Sequence, residues 1–83
     1  MNKILTEVFL PANRKSYEIF LSEDIYVHEA ASLIAEILTE VSDGFFTASG
    51  SDILCSREDG KVYDPNKKLY EVGIKNYSGL MLV

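Results

Sequence analysis

The sequence predicts an α+β fold: a sheet of short strands with one helix packed on one of its faces. Three observations carry this. Two alternating runs near the amino end are joined by a short polar turn, one stretch of 3.6-residue periodicity follows, and the carboxyl end returns to alternation in "GLMLV". No linker, repeat or low-complexity stretch divides the 83 residues, so a single domain over residues 1–83 is expected. Apolar residues make up 47% of the chain, which argues against disorder and leaves some of them outside so small a core.

The first strand is "KILTEVFL", with Ile4, Thr6, Val8 and Leu10 on one face and Leu5, Glu7 and Phe9 on the other. "PANRK" supplies turn residues, and "SYEIFL" alternates again with Tyr17, Ile19 and Leu21 opposite Glu18 and Phe20, completing a hairpin. In "VHEAASLIAEILTEVSDG" the period changes. Val27, Ala30 or Ala31, Ile34, Ile37 or Leu38, and Val41 recur at three- and four-residue spacing, with Glu29, Ser32, Glu36 and Glu40 mostly opposite. Gly44 suits a left-handed helix end, whereas no good capping residue precedes Val27.

After the loop "FFTASGS", the segment "DILC" reads as a third strand and "SREDGK" as a turn with Gly60 at positive φ. "VY" reads as a short fourth strand, cut off by Pro65. "LYEVGIKN" is a helical turn followed by a glycine reversal, and "GLMLV" is the fifth strand. One helix covers only one face of such a sheet.

The balance of 13 acidic against 8 basic residues, a formal charge of −5, disfavours nucleic acid and anionic membrane surfaces as partners. The single cysteine forms no intrachain disulfide, and "MNKILTEVFL" is interrupted by Thr6 and Glu7, so it is neither a signal core nor a membrane span. A cytoplasmic protein is expected. "NYS" at Asn76 matches the glycosylation pattern, but within a turn and without an export signal it reads as a chance match.

Residues able to do chemistry are few. His28 lacks converging partners for catalysis or metal binding. Cys55 is read as a small apolar strand residue, with only Arg57 in its neighbourhood able to lower its pKa. "SREDGK" lacks the alternating oxygen ligands of a calcium loop, and "GK" lacks the upstream glycine of a phosphate loop. No catalytic residue, metal, cofactor or small-molecule substrate is expected.

The succession in "DGKVYDPNKKLYEVGIKNYSGLMLV" resembles the last part of ubiquitin-like proteins: a hairpin turn, a leucine, a short loop, an isoleucine, then a strand of alternating leucines. Leu69, Ile74, Leu80 and Leu82 stand at those positions, and the hairpin and helix extend the likeness to nearly the whole chain. It implies the β-grasp fold, a mixed sheet with strands in the order 2-1-5-3-4. "NKILTEVFLPA" and "ILCSREDGKVYD" are similar to the YukD/EsaB-like bacterial proteins linked to type VII (WXG100) secretion. This resemblance implies a non-enzymatic accessory component acting by protein–protein contact. Conjugated ubiquitin-like proteins use a flexible glycine-ended tail, whereas "LMLV" ends the sequence here, so a modifier or sulfur carrier is not expected.

With Ile4, Val8, Ile19, Leu21, Leu54, Leu80 and Leu82 toward the helix, the two-residue period turns Leu5, Phe9, Phe20, Ile53, Cys55, Met81 and Val83 outward. They form an apolar band broken by Glu7 and Glu18. The resemblance marks that open face as the expected binding surface, for a secretion component or for a second copy in a homodimer. A small non-catalytic subunit of an enzyme complex is the first alternative and a ubiquitin-like carrier or modifier the second.

Overall fold

A computed structural model describes residues 2–83. Strand β1 (Lys3–Leu10) pairs antiparallel with β2 (Lys15–Ser22), and helix α1 (Val27–Val41) follows. Strand β3 (Leu54–Ser56), a 3₁₀ turn (Leu69–Val72) and β4 (Gly79–Leu82) complete the order. The sheet runs β2-β1-β4-β3, with β4 parallel to β1 and antiparallel to β3. The expected 2-1-5-3-4 arrangement is therefore present with its outermost strand reduced. "VY" contributes a single bridge, Cys55 to Val62, held by Ser56 N–H to Lys61 O (2.8 Å) and Tyr63 N–H to Leu54 O (3.1 Å). Gly60 and Pro65 leave too few residues between them for a longer ladder.

All seven residues expected to face the helix are buried, and Val8 and Leu80 are fully so. Thr6 shares their face; its hydroxyl donates to Ile19 O at 2.8 Å, so the buried polar atom is satisfied. From α1 the buried residues are Val27, Ala30, Ala31, Ile34, Ala35 and Leu38. Ile37 and Val41, read as possible core positions, are exposed. Leu38 holds the sheet-facing arc, and three residues further on Val41 falls about 60° short of a full turn.

The missing helix cap is supplied by backbone. Val27 N–H donates to Lys67 O (2.8 Å) and His28 N–H to Pro65 O (3.2 Å), while Glu29 Oε1 accepts from Tyr26 N–H (3.0 Å). At the other end the left-handed turn starts one residue earlier than expected, at Asp43 (φ 53), and Gly44 continues it (φ 87). Gly60 (φ 73) turns the β3 hairpin, where Lys61 N–H donates to Asp59 Oδ1 (3.0 Å) and holds that carboxyl below the ordinary carboxylate range. The 3₁₀ turn packs Leu69 into the core and ends in a left-handed Gly73 (φ 83), as read.

Candidate protein-interaction face

The register lays the open face out in rows. Leu5 lies opposite Phe20, and Tyr77 N–H donates to Leu5 O (2.7 Å), so these three residues mark one end. Next come Glu18, Glu7 and Gly79, with Arg57 N–H donating to Gly79 O (3.0 Å). The third row is Ser16, Phe9, Met81, Cys55 and Val62. Beyond it, Val83 and Ile53 exchange both backbone hydrogen bonds, at 2.9 and 3.0 Å.

Arg57 divides this surface. Its guanidinium carbon lies 4.2 Å from the centre of the Phe9 ring, and Nη1 donates to Glu7 Oε1 (3.1 Å) and Ser16 Oγ (3.3 Å). The arginine stem passes over Gly79, where a Cβ would stand in ordinary van der Waals contact, 3.5 Å from Arg57 Cβ. A cation over an aromatic ring and a half-exposed ion pair are each worth about 0.5–1 kcal/mol or less. The consequence is chiefly geometric: Phe9 is half-covered, and the band becomes two patches separated by charge.

Of the residues the sequence singled out, Phe20 and Val83 are well exposed, and Leu5, Phe9 and Met81 are partly so. Ile53 is exposed at the margin, where it lines an apolar groove of about 240 Å³ with Val27, Ala31, Val62 and Pro65. Cys55 requires a correction. It lies in the third row but is only 2% exposed, because Met81 and Val62 flank it on both sides. It offers no surface. Burial pushes its thiol above the ordinary value, and Arg57, turned toward Glu7, does nothing to lower it.

Tyr77 and Val62 extend the two patches and escaped the sequence reading. Tyr77 is 80% exposed with φ 68, a bulky side chain in a left-handed conformation. Its flanking "NYSG" looked like ordinary turn chemistry. Asn76 Oδ1 accepts from Leu5 N–H (2.9 Å), extending the β1–β4 contact ahead of the start of β4. His28 is exposed and stacks on Tyr26, ring centres 5.5 Å apart. Among the described residues no three His, Cys, Asp or Glu side chains converge on a metal position, and no helix is long and apolar enough to cross a membrane.

No family model and no curated protein matches the chain. Solved structures do. All of the chain superposes on 99% of the ubiquitin-like domain of the type VII secretion protein EccD1 from Mycobacterium tuberculosis, with a TM-score of 0.80 and 16% identity. A TM-score of 0.79 at 16% identity relates 98% of it to 20% of a chain in the MycP5-free ESX-5 inner membrane complex. A chain of a toluene 4-monooxygenase HD complex with the inhibitor 4-bromobenzoate is also similar, with a TM-score of 0.81 and 8% identity over 99% of this chain and 98% of that one. Likeness at such identities speaks for architecture alone: the chain has the ubiquitin-like β-grasp fold.

Proposed function

We propose that this chain is a single-domain, non-enzymatic ubiquitin-like module that works by protein–protein contact in the cytoplasm, as a YukD/EsaB-like accessory component of a bacterial type VII secretion system. The observation that carries the contact role is the open sheet face, where Phe20 and Tyr77 on one patch and Val83 and Val62 on the other are all exposed. The full-length likeness to an EccD1 domain, and the likeness to a chain of a secretion inner membrane complex, support the secretion setting. The partner is a cytoplasmic part of that machinery; nucleic acid, membrane insertion and small-molecule substrates have no place in this reading. A conjugation role would need a glycine tail starting beyond Val83, since Leu82 is in β4 and Val83 is still paired with Ile53.

A second reading, as a non-catalytic subunit of an enzyme complex, is favoured by the equally complete likeness to a chain of the monooxygenase complex. Light scattering on a size-exclusion column, followed by binding to purified cytoplasmic domains of the secretion machinery, separates a secretion partner from self-association, and a monomer that binds none of these domains would favour the second reading. A monomer that binds one of these domains, and loses binding with folding intact in Phe20→Ser/Tyr77→Ser and Val83→Ser, is the expected result. A concentration-dependent dimer abolished by the same variants would assign the face to self-association. Full binding by every variant would remove the open face from the proposal.

A further inference from the structure

The opposite side of the molecule carries a second unpartnered surface. Leu33, Ile37 and Val41 recur every fourth residue on α1 and are 45%, 36% and 46% exposed. At 3.6 residues per turn they form one stripe drifting slowly around the helix, beside the sheet-facing arc but outside it. Glu29, Glu36 and Glu40 are exposed and run along its outer flank, each three or four residues from a member of the stripe. Between Val27 and Val41 there is no lysine or arginine.

Two features of this face work against the isolated molecule. Three aliphatic side chains stand in water, and Glu40 lies in the last helical turn, at the negative end of the dipole and four residues from the like charge of Glu36. One kind of partner relieves both. An amphipathic helix with an apolar stripe bordered by Lys or Arg would cover the aliphatics and neutralise the acids. A second copy would not, because it would set three carboxylates against three others. Anionic lipid fails on the same sign of charge.

We propose that the outer face of α1 docks a basic amphipathic helix of a partner protein. The surface lies across the sheet from the open face, so this inference stands or falls separately from the function proposed above. The probe is an 18-residue labelled peptide with leucines at helical spacing and lysines on their flanks; its control carries glutamates in place of the lysines. Fluorescence anisotropy and amide chemical shifts are read at physiological salt.

Binding of the Leu/Lys peptide alone is expected, with shifts confined to α1. Leu33→Ser/Ile37→Ser and Glu36→Lys/Glu40→Lys should each weaken it at least tenfold, whereas Phe20→Ser/Tyr77→Ser should leave it unchanged. Circular dichroism checks each fold. Should the serine pair unfold the domain, the lysine pair, which suits the helix dipole better, carries the comparison. No binding overturns the proposal. So do shifts spread beyond α1, or equal binding by the serine pair, which keeps the net charge at −5 and is what diffuse attraction would give.

Discussion

Tyr77 holds a backbone conformation that suits asparagine better than tyrosine, and its ring is almost wholly in solvent. Nothing local explains an aromatic there. Tyr77→Asn should therefore raise stability, by about 1 kcal/mol in urea titrations, while weakening whatever binds the Phe20 patch. A loss of stability would mean that the ring packs on Leu5 or Phe20 and belongs to the fold. Cys55 gives the complementary case of a side chain withdrawn from use. Near pH 8 iodoacetamide should label it slowly in the native protein and at the free-thiol rate in concentrated urea. Because its folded pKa is raised, the unfolded chain deprotonates first. The Cys55 contribution to stability is thus constant below about pH 8.5 and declines as the pH climbs above it. A Cys55→Ala variant should lose that alkaline slope.

At the scale of elements, α1 starts where the chain offers no N-cap side chain, and its first amides are satisfied by the distant carbonyls of Lys67 and Pro65. The bonds run both ways: Leu69 N–H donates to Ile25 O (3.0 Å) and Tyr70 N–H to Glu23 O (3.2 Å). The helix start and the 3₁₀ turn should therefore open as one unit. Native-state hydrogen exchange should give the Val27 and Leu69 amides similar opening free energies. Much earlier exchange at Leu69 would mean that the turn docks after the helix forms. At the other end, Glu40→Lys should stabilise the fold by about 0.3–1 kcal/mol through the helix dipole. That gain would place the acidic face among features kept at some expense to stability.

For the molecule as a whole, β4 is the keystone, since it joins β1 on one side and β3 on the other and sends Leu80 and Leu82 into the core. At roughly 0.05–0.15 kcal/mol per residue, a chain of 83 residues has about 4–12 kcal/mol of stability in all. Leu80 is fully buried, so Leu80→Ala should remove about 2–5 kcal/mol, read as a fall in the urea midpoint at unchanged slope. Loss of β4 and β1 together would follow in the less stable background. A change below about 1 kcal/mol would show that the site collapses around the smaller side chain.

Much of this was legible in the residue pattern. Alternation assigned Ile4, Val8, Ile19, Leu21, Leu54, Leu80 and Leu82 to the interior, because a strand's period of two allows no other face once one is buried. The same period located Phe20 and Val83 outside, and the helix was visible in its 3.6-residue spacing. What stayed hidden depends on contacts between residues distant in the chain. Cys55 has the right parity for the open face, yet it is buried between Met81 and Val62, neighbours that come from other segments. Arg57 reads as turn chemistry until the sheet brings Phe9 and Glu7 of β1 within its reach. Ile37 and Val41 carry the period of a core helix, but only the arc that meets the sheet decides which of them water reaches. Local sequence thus set the elements and their faces, whereas exposure, capping and the division of the open face followed from the tertiary arrangement, because each needs a partner that the local pattern does not name.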